Sequence, residues 1–395
     1  MFTVLIYVIS RYIPEYLRLL GAHPAIIGLF GSVVMLLAVS YPYLWRYFQK
    51  TSNSVDSLAL MGTIASSGLL LWLIAPQLGR LEPIPAWVYV LLGVVLIGSW
   101  RPIGLETIGI TGNSWLREHM PESRLRTKLV QLGGLVAGIL LVTALLAAVP
   151  GFVIGFQVIL AVTAAAGVTA AVIYYHADTE PRTVSTRQFR GWTAILSEVR
   201  SLPDGLRPLL IGDTLVQFAL GMVSVFIVVT VTSVLEFNAH LFGYQLSASA
   251  FFGVLIFLEV STGLIATVPV SYFTSRNGRC GTVFASFFIS ALFPLVLIGM
   301  ATTPLSLGIL FAIFGLRFAG RPAREALIAA ETGRGGGDKG TESYRLVRDV
   351  LTIPSALIGG AIYAISPIFA FVLATVIGIL GVREFMEFTV QPLTG

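Results

Sequence analysis

Runs of about twenty apolar residues, each long enough to cross a hydrocarbon core roughly 30 Å thick as an α-helix, recur along the whole of this 395-residue chain. Only 11% of the residues are charged and 56% are hydrophobic, against about 25% charged in soluble domains. The recurrence makes the chain an all-α integral membrane protein rather than a soluble domain with an anchor. A transmembrane barrel would alternate apolar and polar residues at period two, and these runs do not.

Spans are expected at roughly 1–20, 24–46, 57–76, 84–112, 129–149, 151–175, 207–234, 243–270, 281–301, 303–327, 345–364 and 366–382. Connections between twelve spans alternate between two sides, so the positive-inside rule applies. One side collects Arg46 and Lys50, Arg117 to Lys128, Arg182 to Arg207, Arg276 and Arg279, Arg321 to Arg348, and Arg383; the other holds only Arg18 and Arg80. The basic side, and with it the C-terminus, is therefore expected in the cytoplasm of a multi-pass cell-membrane protein. This sorting also accounts for the net charge of +5 without a nucleic-acid partner. A single cysteine, Cys280, excludes an internal disulfide and a thiolate metal cluster.

The longest connection, 177–206, divides six spans from six. In it "RQFRGWTAILSEV" spaces Phe189, Trp192, Leu196 and Val199 for a helix lying in the membrane interface, with a plain linker as the alternative. The domains expected are thus an N-terminal six-helix half, 1–176, the cytoplasmic linker, and a C-terminal six-helix half, 207–395. The halves carry traces of a repeat. "AIIG" at Ala25 matches "AFFG" at Ala250, the same shift of 225 aligns "RYFQKTSN" with "SYFTSRNG", and "WRPIG" at Trp100 resembles "LRFAG" at Leu316 at a slightly smaller shift. Parallel repeats of six spans are a transporter architecture.

On these residues the chain resembles the major facilitator superfamily. The superfamily's basic loop after span two survives as Arg46 and Lys50, and in the repeat copy "PVSYFTSRNGRCG" as Arg276, Gly278 and Arg279; both copies lack the aspartate. Span four, "WRPIGLETIGITG", keeps Arg101 and Gly104, and span ten, "LRFAGRPAREALIAAE", is the most family-like stretch. The glycine-proline signature of drug and proton antiporters is not met in "QLGGLVAGILLVTALL". The resemblance implies a bundle of two pseudo-symmetric six-helix halves, with spans one, four, seven and ten lining a central cavity.

Charges inside a bilayer are costly and tend to be paired or to line a water-filled path. The candidates for a substrate and ion pathway are Arg101 and Glu106 on span four, Asp213 and Gln217 on span seven, Glu259 on span eight and Arg317 on span ten. Glu259 lies roughly 21 Å into its span and is either a proton-titrating site or the structural partner of Arg317. Arg101 and Arg317 occupy corresponding positions, where each either coordinates an anionic substrate or pairs with Glu106 and Glu259. Asp213 and Gln217 are one turn apart on one face, and Asp213 either serves transport or satisfies its helix's first turn. Arg276, Arg279, Arg321, Arg324, Arg345, Arg348 and Asp349 are expected to be solvated or to form a cytoplasmic gate.

Other motifs have plainer readings. "TGRGGGDKGTE" lacks the ending of a phosphate loop and follows no strand, so it reads as a connection. His23, His119, His176 and His240 sit in separate connections and form no metal site. Gly134 and Gly138 form a small-residue packing face. No cofactor is expected.

The function expected is secondary transport of a small solute, with protons as a coupling ion, by rocker-switch alternating access in a monomer within the lipid bilayer. The chain is not expected to be an enzyme, since a polytopic lipid-modifying enzyme would need paired aspartate motifs or clustered histidines. The alternative in another class is a transport-inactive receptor or scaffold on the same fold. The opening stretch adds one expectation. "FTVLIYVIS" covers about 14 Å and has neither the basic start nor the cleavage site of a signal peptide, so a full first helix is expected to begin upstream of Met1.

Overall fold

The computed structural model describes residues 2–51, 54–100, 121–176, 206–237, 239–241, 243–333 and 337–390. Its described helices are α1 (Phe2–Ser10), α2 (Ile13–Leu19), α3 (Pro24–Thr51), α4 (Ser54–Leu81), α5 (Ala86–Gly98), α6 (Pro121–Ala148), α7 (Phe152–His176), α8 (Arg207–Ser224), α9 (Phe226–Val229), α10 (Ala248–Asn277), α11 (Arg279–Met300), α12 (Pro304–Gly315), α13 (Arg321–Gly333), α14 (Gly337–Thr352), α15 (Ser355–Ile365) and α16 (Pro367–Val390). A π-helical turn, Thr230–Leu235, extends α9, and a 3-10 segment, Leu316–Gly320, joins α12 to α13. Two short strands, Ala239–Leu241 and Tyr244–Leu246, pair as an antiparallel hairpin.

Among the described residues eight helices are long and apolar enough to span a bilayer, and nine if α8 and the bent segment after it count as one. α5 and Gly133–Ala148 are shorter apolar helices. Ile154, Ile173, Ile265, Ile309, Ile368 and Phe369 are more than half exposed, whereas Asp213 and Glu259 are buried. An apolar exterior around buried charge fits acyl chains as solvent. The chain is a multi-pass membrane protein.

The spans depart from the expected ones where the helical ladder is interrupted. The first is two helices: Pro14 has no N–H to offer the Ser10 carbonyl, and the chain tightens into Arg11 N–H to Val8 O and Tyr12 N–H to Ile9 O bonds of 3.1 and 2.9 Å. α2 ends in a Schellman motif, with Ala22 N–H bonded to Leu17 O and Gly21 N–H to Arg18 O. Gly21 takes the left-handed conformation this requires, φ +83°. Span seven bends by 44° after Ser224. Span ten changes to 3-10 geometry midway, and span eleven breaks at Ile353 and Pro354, where the proline again lacks a donor.

The chain forms two compact units. The first takes in the described residues of Met1–Ala22, Ser40–Gln188 and Ala239–Gly253. Here α4 packs between α5 and α7, and α1 lies on α6 and α7. The Tyr12 ring, fully buried, meets Phe152, Phe156 and Phe252. The second unit takes in the described residues of His23–Val39, Phe189–Asn238 and Val254–Gly395. α8 and α11 pack on α16, and α13 and α14 form a helical hairpin whose second member packs on α8. Residues 177–205, which hold the expected interfacial helix and most of the linker, lie outside the described residues.

Candidate functional site

Two clusters of buried charge lie in the second unit. The first is built on Asp213, in the second turn of α8 and 0% exposed. Its Oδ1 accepts from Arg324 Nη1 at 2.8 Å, and its Oδ2 accepts from Arg348 Nη1 at 3.1 Å and Tyr344 Oη at 3.3 Å. Tyr344 and Arg348 are four residues apart on α14 and so share a face; Arg324 comes from the first turn of α13. Tyr344 also reaches Leu209 O at 3.1 Å, and Arg348 turns its remaining edge to Asp349 Oδ1 at 3.0 and 2.7 Å. Both carboxylate oxygens are thus engaged, and three helices converge on one anion. Burial of a charge is sustained only by such pairing. Gln217, one turn further along α8, is half-buried.

The second cluster sits where α10 crosses α12. Thr262 Oγ1 donates across the crossing to Ala312 O at 2.8 Å. The backbones approach so closely that a Cβ at Gly315 would collide with Glu259 O, and one at Gly263 would lie 2.8 Å from Gly315 O. Immediately after this contact the chain enters the 3-10 segment that carries Arg317, whose carbonyl accepts from Ser286 Oγ at 2.9 Å. Arg317 Nη2 meets Glu259 Oε1 at 2.6 Å and its Nη1 donates to Phe314 O at 2.8 Å. Its Cζ lies 3.4 Å from the centroid of the Phe314 ring and 4.2 Å from that of Phe318, and Phe314 stacks on Phe293 at 3.6 Å. Glu259 is 1% exposed, while the Arg317 side chain is 13% exposed. The structural pairing expected for these two residues is therefore present.

The remaining candidates are distributed around these clusters. Arg345 pairs with Glu325 at 3.2 Å on the open side of the α13–α14 hairpin. Arg321 lies over the Phe318 ring at 4.6 Å, and Arg279 is exposed. Arg276 falls within α10, but its side chain, like Arg101 and Glu106 entirely, lies outside the described residues. Asp213 thus joins Arg324, Arg348 and Asp349 in one assembly, although the sequence places it among pathway residues and the other three among gate residues. Gly138 packs on Val4, whereas no atom lies within 4 Å of a Cβ built on Gly134.

Sequence reasoning missed several contributors. Tyr344 was signalled only by its four-residue spacing to Arg348. Phe314 and Phe318 read as ordinary apolar residues. In the first unit Glu15, 4% exposed, forms a two-point pair with Arg18, both bonds 2.8 Å. Their spacing of three residues was the available signal. Among the described residues no group of three or more His, Cys, Asp or Glu comes together to hold a metal.

No family model matches the sequence, and no curated protein matches it. Solved structures do resemble the chain. A nucleoside transporter, NupG, superimposes with a TM-score of 0.70 at 12% identity, covering 98% of this chain and 97% of its own. A bacterial homologue of the iron transporter ferroportin, in an inward-facing state, gives 0.71 at 13% identity over 98% and 96%. A POT family transporter in complex with a thioalcohol-conjugated peptide gives 0.65 at 10% identity over 98% and 93%. At such identities the likeness is one of fold: this chain has the fold of major facilitator transporters.

Proposed function

We propose that the chain is a secondary transporter that moves a small solute across the cell membrane by alternating access, as a monomer with a cytoplasmic C-terminus. The observation that carries this reading is the likeness over 98% of the chain to transporters of different solutes. In this reading the segments 1–176 and 207–395 act as two six-helix halves, joined by the linker 177–206. The Asp213 cluster ties the ends of three helices and works as part of the cytoplasmic gate, together with Arg276, Arg279, Arg321 and Arg345. Arg101, Glu106, Gln217, Glu259 and Arg317 belong to the pathway.

Proton coupling is assigned first to Glu259. A carboxyl that carries a proton through a cycle must exchange its charge partner at one stage, and Asp213, held on both oxygens by two guanidiniums, is the less able of the two to do so. Flux in proteoliposomes across a solute panel tests the reading. A transported solute whose uptake slows when the pH gradient is collapsed, and in Glu259→Gln, is the expected result. Uptake indifferent to both removes the coupling. Solute binding without flux of any member of the panel points instead to a receptor on this fold.

A further inference from the structure

Three polar side chains of the first unit, Tyr16, Trp72 and Gln157, each bond a main-chain carbonyl on another helix, and the transport reading gives none of them a part. Pro76, inside α4, explains the pattern. In a regular helix its N–H would bond the carbonyl four residues back; proline has no N–H, and its ring crowds that same carbonyl. The carbonyl is Trp72 O, and it accepts from Tyr16 Oη of α2 at 2.9 Å. The next along α4, Leu73 O, accepts from Gln157 Nε2 of α7, also at 2.9 Å. Trp72 in turn donates from Nε1 to Val90 O of α5 at 2.7 Å, across a crossing so close that a Cβ on Gly93 would collide with that nitrogen. Three helices are thus tied to α4 at two successive residues.

In lipid, apolar helix faces gain little by meeting each other, so interhelical bonds of this kind help to decide which helices stay together. α2 needs one most. It has seven residues, Ile13–Leu19, too few for a helix to hold itself, and Tyr16, 0% exposed, is its middle residue. The turn before it is built differently. There the ladder is broken by Pro14 and tightened at Arg11 and Tyr12, and the buried Tyr12 hydroxyl has no hydrogen-bond partner among the described residues. A buried hydroxyl left unpaired costs free energy that a rearrangement of this turn would recover.

We propose that the bonds around Pro76 form a fixed joint that makes α2, α4, α5 and α7 one body, and that the first span flexes at Ser10–Ile13, so that α1 moves against that body during the transport cycle. The motion rests on the transport reading above; the joint does not. Tyr16 and Gln157 are positioning residues in this scheme: they bond carbonyls of α4 and hold the outer piece of the first span and α7 at a set height beside Pro76.

A double-mutant cycle on the purified protein tests the joint. Tyr16→Phe keeps the ring but leaves Trp72 O without its donor, and should lower the midpoint of thermal unfolding in detergent by about 1–4 °C. Pro76→Ala restores an N–H that can reach Trp72 O, so in that background Tyr16→Phe should cost less than half as much. Equal costs in the two backgrounds overturn the joint. Hydrogen exchange tests the hinge. In the wild type the amides of Arg11 to Ile13 should exchange faster than those in the middle of α1 or of α2, and in Tyr16→Phe exchange in α2 should quicken by about three- to tenfold with α1 unchanged. Uniform protection from Val4 to Leu19, or quickening of α1 and α2 together, overturns the hinge. Neither measurement needs a solute, so each stands apart from the flux experiments: a joint that passes in a protein without flux would remove the transport reading and leave the joint.

Discussion

The interior charges divide by how many partners each acid has. Asp213 is 0% exposed and is shared between Arg324 and Arg348, so Asp213→Asn removes the carboxylate that both guanidiniums share, while Arg348 keeps its pair with Asp349. Breaking a buried pair in this way costs roughly 3–5 kcal/mol. Arg345→Ala removes a half-open pair with Glu325 and should cost less than about 1 kcal/mol. Thermal unfolding in one detergent would separate the two; equal effects would mean that the Asp213 cluster is wetter than its geometry. Glu259 with Arg317 was legible in the sequence because a bilayer interior holds so few charges that an acid and a base on neighbouring spans have little choice. Asp213 was not matched to Arg324 and Arg348, since arginines at span ends normally reach water. What joins them is the inward face of the α13–α14 hairpin, and its orientation depends on packing, not on hydropathy.

At the level of elements, hydropathy locates spans but is blind to their interruptions. The breaks after Ser10 and before Ser355 had a visible cause in Pro14 and Pro354. The 3-10 segment Leu316–Gly320 had one just beyond it in Pro322, which has no N–H to offer the Phe318 carbonyl, but its position also follows from the α10 crossing at Gly263 and Gly315 and from the Ser286 bond to Arg317 O, which hydropathy does not show. Mid-span 3-10 geometry is a frequent hinge, and here it sets the height at which Arg317 meets Glu259. A Gly315→Val substitution would force the crossing apart. It should destabilise by about 1–3 kcal/mol through overpacking, read as a lower midpoint of thermal unfolding in detergent. An unchanged midpoint would show that the crossing is looser than its geometry. The repeat at Ala25 and Ala250 also gains a physical meaning. Each copy ends in a glycine at a close crossing, Gly28 with its ideal Cβ 2.9 Å from Gly360 Cα and Gly253 with its own 2.8 Å from Tyr12 Oη.

For the molecule as a whole, membrane residence and fold class were readable because a chain that exposes isoleucine and phenylalanine along its helices and buries Asp213 and Glu259 within them fits lipid as its solvent. The solute was not readable, since it depends on side-chain facing that periodicity leaves open. Charge balance nevertheless limits how transport can be driven. If a proton on Glu259 crosses with a neutral solute, each cycle moves one net positive charge. The membrane potential acts on net translocated charge at about 2.3 kcal/mol per elementary charge for each 100 mV, so proteoliposomes given a potassium diffusion potential, negative inside, and no pH gradient are expected to concentrate such a solute. A solute that brings one negative charge of its own makes the sum zero, and a pH gradient alone should drive it. Accumulation of a neutral solute that ignores the potential would mean that no proton on Glu259 travels with it.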